Sequence, residues 1–214
     1  MMESGSTPIK NIIFDLGNVL FTLDYPRWQQ QMANLLHPNG MQDIYPTIHK
    51  FDTGKISTSL FINGVLSFCD HTKQALDVIR AWNSMLVGMP EDSFRVLDEL
   101  KQSYRLFLYS NNNEIHYDWC MRHFEREHGI PDFNTRYFEG AYYSQEIGFL
   151  KPDTAGYQYI LDQHHLRGYE TLFLDDKPEN VDGAIQAGLQ SKLIDPEISL
   201  RRQLIQMGLR LQAF

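Results

Sequence analysis

The chain has 214 residues, of which 43% are hydrophobic and 21% charged, with a formal net charge of −8 at pH 7. Such a chain is expected to fold around a packed core, as one domain with an insertion or as two small ones, which excludes a disordered protein. The acidic balance excludes a general nucleic-acid binder, which would carry a basic face, but an anionic substrate stays open because local cations, a metal ion or backbone N–H groups can hold one.

No apolar run approaches the roughly 18 residues of a membrane span. Residues 1–8, MMESGSTP, lack the apolar centre of a secretory signal, so a cytoplasmic protein is expected. Cys69 and Cys120 are too few for a disulfide framework and lack metal-ligand spacing.

In chain order, Ile12, Ile13 and Phe14 form a short apolar run that suits a strand buried on both faces, and the run ends in a carboxylate, Asp15. Gly17 and Asn18 break the pattern. Pro26 then opens a helix with Trp28, Met32, Leu35 and Leu36 on one face, closed by HPNG at 37–40. A second short helix is expected between Met41 and Lys50, and a turn at Asp52-Thr53-Gly54. Ser57 or Thr58 caps a third helix to about Cys69. Ala75, Val78, Ile79, Trp82, Met85 and Leu86 line a fourth. No strand is expected between Tyr25 and Gly88.

From Met89 the pattern changes. Pro90, Glu91 and Asp92 open a helix with Phe94, Leu97 and Leu100 inward. Strands are expected at Arg105–Tyr109, Phe138–Ser144, Thr171–Leu174 and Gln190–Ile194. Between them fall helices at about 114–127, after Lys151-Pro152-Asp153 (Tyr157, Ile160, Leu161 and His164 on one face), and from Pro178 (Val181, Ala184 and Ile185 inward, Gly188 as cap). A last helix starts near Ile198. Alternating strands and helices imply an α/β fold, a Rossmann-like parallel five-stranded sheet. The expected core is residues 1–24 plus 89–214. The inserted α-helical cap, 25–88, leaves from the strand end that carries Asp15 and should sit over it as a lid.

In a parallel sheet the strand ends share one edge. Asp15, Ser110 with Asn111, and Asp175 with Asp176 therefore meet, and Lys151 can reach them. Three crowded carboxylates repel unless a cation sits among them, and hard oxygen ligands suit Mg²⁺. A hydroxyl, a lysine and free N–H groups suit a phosphate. Ser110 could instead cap the following helix, a task for which Asn113 competes.

This order resembles the haloacid dehalogenase-like hydrolase superfamily over nearly the whole chain. The strand into an acid appears as FDLGNVL, the strand ending in a hydroxyl as LFLYSN, the lysine before proline as GFLKPD, and the acidic pair as LFLDDKPENVDGA. The subgroup looks like sugar-phosphate phosphatases and epoxide-hydrolase-type phosphatase domains. The resemblance implies a Mg²⁺-dependent phosphatase for a small phosphorylated metabolite, a sugar phosphate being favoured. In it Asp15 is the nucleophile that becomes an aspartyl-phosphate. Mg²⁺ is held by Asp15, the Gly17 carbonyl and Asp176, with Asp175 as a second ligand. Ser110 and Asn111 bind the phosphoryl group, and Lys151 pairs with Asp15 and the phosphate.

The sequence departs from the family in one place. Most phosphatases of the superfamily carry a second Asp two residues after the nucleophile, as proton donor and then base; here Gly17 stands there. General acid-base help is typically worth about 10²–10⁴-fold. A better leaving group, a substitute such as Asp24 (otherwise a helix N-cap), or a slow enzyme would each answer this. A 2-haloacid dehalogenase-type hydrolase and a non-catalytic binding or regulatory protein are the competing readings. Histidines 123, 128, 164 and 165 read as solvated residues, Trp28, Trp82 and Phe61 as packing residues, and Arg27 as a possible substrate contact. Neither a nucleic acid nor a membrane is an expected partner, and a monomer or a homodimer is expected.

Overall fold

The computed structural model describes residues 8–211, so all but one residue of the polar stretch at 1–8 lies outside the described residues. Strand β1 (Asn11–Phe14) is buried at every position and leads into a short β2 (Thr22–Leu23). Four helices follow: α1 (Tyr25–Leu35), α2 (Gly40–Asp52), α3 (Thr58–Leu66) and α4 (Ala75–Trp82). Asp24 caps α1 by accepting from Arg27 N, and Ser57 caps α3 by accepting from Leu60 N. Met32, Leu35, Ile44, Phe51, Phe61, Val65, Val78 and Trp82 close a hydrophobic cluster of their own among these helices.

The chain returns through a 3₁₀ turn, Asn83–Met85, into β3 (Leu86–Gly88), which pairs antiparallel with β2. This corrects the sequence reading in two respects. Met85 and Leu86 do not continue the fourth helix, and a strand does occur before Gly88. The reason is tertiary: the returning chain runs beside the outgoing one, and Asp24 N donates to Met85 O at 2.8 Å. The two crossings between the helices and the sheet are thus zipped together.

Then come α5 (Glu91–Leu100), β4 (Arg105–Ser110), α6 (Glu114–His128), α7 (Phe133–Tyr137), β5 (Gly140–Tyr143), α8 (Ser144–Ile147), α9 (Thr154–Gln163), β6 (Thr171–Asp175), α10 (Pro178–Gln186), β7 (Gln190–Leu193) and α11 (Leu200–Gln206). Helix α6 begins at Asn113, whose side chain accepts from His116 N, and ends at Gly129 in the left-handed conformation. Helices α7 and α8 are too short for a periodic signal. His164 falls just past α9, where its ring packs on Phe107 at 4.6 Å and bonds the Tyr142 hydroxyl. Ile185 is 53% exposed, because α10 turns Asn180, Gly183 and Ala184 inward instead.

The sheet is five-stranded, in the order β5-β4-β1-β6-β7, and every pairing is parallel. Alternate residues face opposite layers. Ile13, Phe107 and Phe173 pack with Tyr157, Ile160 and Ala184 on one side. Ile12, Phe14, Leu106, Leu108, Leu172 and Leu174 pack with Phe94, Leu97 and Phe124 on the other. The connection from β1 leads to one neighbour, β4, and the chain later returns to the other, β6. The C-terminal end of β1 is therefore a topological switch point, where open α/β sheets bind ligands.

Helix α10 must come close to the turn before α9. A Cβ on Gly183 would lie 2.3 Å from Pro152 O. Gly183→Ala should therefore destabilise the fold by about 1–3 kcal/mol in urea unfolding. It should also lower activity, because Lys151 shares that turn.

Candidate active site

Phe14 lies opposite Leu108 and Leu174 in the register, so Asp15 leaves the sheet level with Asp175; its N–H donates to Leu174 O at 2.9 Å. Between these two carboxylates stands Lys151. Its Nζ donates to Asp15 Oδ1 at 2.6 Å and to Asp175 Oδ2 at 2.7 Å, with the Tyr109 and Phe173 ring centroids 5.6 and 5.3 Å away. Lys151 is 4% exposed, Asp15 8% and Asp175 0%. An isolated charge so deeply buried is costly. Here burial opposes the lysine's charge, but the two carboxylates outweigh it and raise its pKa above the usual range. Burial pushes the Asp15 carboxyl up to about 7 against the pull of Lys151, with Asp175 and Asp176 adding to the rise.

Asp175 is saturated. Oδ1 accepts from Lys177 N at 2.9 Å and from the Asn180 amide at 3.0 Å, and Oδ2 accepts from Lys151 and from the same amide. Asp176 is freer. Its Oδ2 accepts from Asn18 Nδ2 at 3.1 Å, and burial raises its pKa. Oxygens of Asp15, Asp175 and Asp176 lie within 4.8 Å of one another. Lys151 among the three carboxylates, with the Lys177 ammonium acting on Asp15 and Asp176, still leaves an anionic excess, and an all-oxygen donor set of this kind fits a hard divalent cation such as Mg²⁺.

The loop after β1 is wound tightly. Phe21 N donates to Leu16 O and Asn18 N to Phe21 O, and Asn18 takes φ +55°. Its side chain also accepts from Leu23 N, so Asn18 ties this loop to Asp176. At the end of β4, Ser110 is buried and lines the same cavity as Asp15. It does not cap α6; Asn113 does. Asn111 does something the sequence reading missed: its amide bonds both the N–H (2.8 Å) and the C=O (2.9 Å) of Lys151, clamping the lysine's backbone.

These groups open into a cavity of about 580 Å³, roofed by the helices of 25–82. Tyr25, Trp28, Tyr45, Ile48 and Trp82 give it aromatic and aliphatic walls; His49, Asp52, Asn112, Asn113, His116 and Lys177 are among its polar groups outside the strand-end cluster. Trp28 and Trp82 therefore do more than pack. Asp24 and Arg27, both candidates from sequence, do not line it; Asp24 is the N-cap of α1 and Arg27 is exposed. Asp52, Lys177 and Asn180 were not singled out. Asn180 sits in the LDDKPEN stretch and could have been suspected from its spacing to Asp175. Asp52 reads as an ordinary turn residue and nothing local marks it. Burial pushes its carboxyl up to about 7, against the pull of Asn113, which donates to it at 3.1 Å, and of the Lys177 charge.

The parallel sheet gathers an acid, a hydroxyl, a lysine and an acidic pair at its C-terminal edge, where open α/β sheets bind ligands. The family model for haloacid dehalogenase-like hydrolases matches residues 9–188, and the chain belongs to that family. It is 28% identical over 196 residues to a D-ribitol-5-phosphate phosphatase from Bacteroides thetaiotaomicron, covering 86% of this chain and 90% of that one. A sesquiterpene phosphatase from Aspergillus oryzae is 27% identical, with 86% and 88% covered. Among solved structures, a B. thetaiotaomicron enzyme of the same family, crystallised with magnesium and inorganic phosphate, superposes with TM-score 0.76 at 26% identity, over 91% of this chain and 98% of that one. A hydrolase from Porphyromonas gingivalis predicted to be of this family superposes with TM-score 0.84 at 25% identity, over 96% and 100%.

Lys151→Met should cost about 3–5 kcal/mol in the metal-free protein at pH 8, since it strands two buried carboxylates; chemical denaturation measures it. Asp52 gives a prediction of opposite sign. Its folded pKa lies above its unfolded one, so the folded state binds the extra proton and wild-type stability falls as pH rises from about 4 to 7. Asp52→Asn should therefore match wild type near pH 4 and exceed it by on the order of 1–3 kcal/mol at pH 8 in thermal unfolding.

Proposed function

We propose that the protein is a Mg²⁺-dependent phosphatase acting through an aspartyl-phosphate on Asp15. The observation that carries this reading is the Lys151 bridge, which holds Asp15 at the cavity floor beside Asp176 while leaving one Asp15 oxygen outside that bond. Magnesium would be held by Asp15, the Gly17 carbonyl and Asp176, and when bound it neutralises charge between the carboxylates and the phosphoryl oxygens. Asp175, with both oxygens engaged, is assigned to holding Lys151, not to the second-ligand role expected from the sequence.

The free Asp15 oxygen attacks phosphorus, the P–O bond to the leaving group breaks, and water then hydrolyses the acyl phosphate. Lys151 limits the repulsion between the two approaching anions. Ser110 and the N–H of Asn111 orient the phosphoryl oxygens. Most of the rate gain in such a reaction comes from positioning and electrostatics. The region 25–88 acts as the cap that excludes water and selects the substrate.

A sugar or polyol phosphate is the favoured class. The similarity to a D-ribitol-5-phosphate phosphatase supports it, as do the aromatic walls, which suit the C–H faces of a polyol, alongside hydrogen-bonding groups such as His49 and Asp52. The sesquiterpene phosphatase likeness sets an isoprenoid phosphate as the competitor.

Phosphate release with Mg²⁺ should be seen across a panel of pentitol and hexose phosphates and be weaker for farnesyl phosphate. EDTA should abolish it, and Asp15→Asn should lower p-nitrophenyl phosphate turnover by more than about 10⁴-fold. Chloride release from 2-chloropropionate in EDTA would instead make the protein a dehalogenase, and binding of Mg²⁺ and phosphate without turnover would make it a regulatory protein.

A further inference from the structure

The proton donor of the family is missing at Gly17, and the Leu23 side chain lies in the space beside it. A Cβ at Gly17 would meet Leu23 Cδ1 at 2.6 Å. Leu23 belongs to the ribbon β2–β3 that joins sheet and cap, so this filling is part of the hinge. A replacement acid for the leaving group would come from elsewhere in the cavity.

Among the cavity-lining carboxylates, Asp15 is the nucleophile of the proposed function, and the remaining one is Asp52. It is the last residue of α2, on the cap. It is held to the core at two points. Asn113, three residues beyond Ser110 on the loop that carries the proposed phosphoryl-binding groups, donates to its Oδ1 at 3.1 Å. Asn113 is itself fixed, because its Oδ1 accepts from Trp82 Nε1 and His116 N. Two residues past Asp52, Gly54 lies with φ +67° against the backbone of Gln145 in α8, so close that a Cβ would sit 2.1 Å from Gln145 O. The ammonium of Lys177 acts on Asp52 and on Asp15 alike, placing both within reach of one charge.

We propose that Asp52 is the general acid-base of this enzyme, delivered by the cap in place of the missing residue at position 17. The inference rests on the phosphatase reading above. As Asp15 attacks, the carboxyl proton of Asp52 passes to the leaving oxygen while the P–O bond breaks. The resulting Asp52 carboxylate then takes a proton from the water that attacks phosphorus, the bond from phosphorus to Asp15 breaks, and the enzyme returns to its starting form. The C-terminal end of α2 and the surrounding burial favour the neutral acid before the first step. The other ionisable groups nearby are few. His49 and Lys50 share its helix turn, Lys177 opposes the rise, His116 is held neutral by burial, and Glu146 follows Gln145 on α8.

The test is Asp52→Asn, which keeps an acceptor for Asn113, assayed by stopped flow and at steady state on p-nitrophenyl and phenyl phosphate. The nitrophenolate leaves without a proton, so the variant should give a stoichiometric burst of nitrophenol, followed by turnover about 10²–10⁴-fold slower than wild type. Phenyl phosphate should give no burst, with KM little changed, and the fall of the wild-type kcat above about pH 7, where Asp52 loses its proton, should vanish. Gly54→Ala, which pushes the turn off Gln145, should slow phenyl phosphate more than the nitrophenol burst. A variant with wild-type kcat on both esters overturns this proposal alone, as does a natively folded variant that loses the nitrophenol burst too. A wild type that releases no nitrophenol with Mg²⁺ removes the phosphatase reading and this one with it.

Discussion

One buried ammonium sets the geometry on which the rest depends. Lys151 lies between Asp15 and Asp175 at 2.6 and 2.7 Å with almost no access to solvent. Such a group stays charged only if both partners keep their places, because removing either leaves an unpaired charge in a low-dielectric setting. The neighbouring structure reads as a set of clamps on this cation. Asn111 fixes its backbone, and Gly183 lets α10 approach the next residue, Pro152. Asn180 holds Asp175, and the Tyr157 hydroxyl holds the Asn180 carbonyl at 2.8 Å. A chain of direct contacts thus runs from the far face of the sheet to the nucleophile.

That arrangement is deliberately short of positive charge. With Lys151 bonded to the other two acids, Asp176 has one direct hydrogen-bond donor, the neutral amide of Asn18, and feels the Lys177 and Lys151 charges from further off. The deficit is what makes a divalent cation fit here, and it distinguishes this edge from a structural ion-pair network, which would close its charge balance internally. The same deficit explains why an acidic chain can take an anionic substrate. Attraction at the cavity is local, resting on Lys151, Lys177 and the metal proposed for the site, and the net charge of the whole surface has little bearing on it.

The core of this site was legible in the sequence because each part is a strand end. A buried apolar run that stops at a carboxylate marks both the element and its functional terminus, so Asp15, Ser110 and the Asp175–Asp176 pair could be put on one edge before any coordinates. Lys151 came with them through its spacing. The roles within the cluster were not legible. Nothing in LDDKPEN separates the saturated Asp175 from the freer Asp176, since the difference lies in donors brought from 151, 177 and 180. Met85 and Leu86 read as helix because their apolar spacing continues that of α4, and only the pairing of Leu86–Gly88 with Thr22 and Leu23 overrides it. Asp52 was invisible for a related reason. Its environment is built from Asn113, Lys177 and the Gly54 turn, none of them near it in helical register.

The position of Leu23 carries the last step. The Leu23 side chain of the hinge ribbon lies beside Gly17, and the proposed replacement for the acid missing there is borne by α2, among the inserted helices. In a core-borne arrangement the acid is present whether or not the substrate is enclosed, and an open enzyme can still hydrolyse. With the acid on α2 as proposed, proton delivery would depend on the contacts of the Gly54 turn with Gln145 and of Asn113 with Asp52. Enclosure of the substrate and competence for proton transfer then become one event, and the residues that shape the cap cavity also decide which leaving groups are served. Discrimination would accordingly be expressed in kcat as much as in KM, because a substrate that seats badly under the cap fails to bring Asp52 to its oxygen.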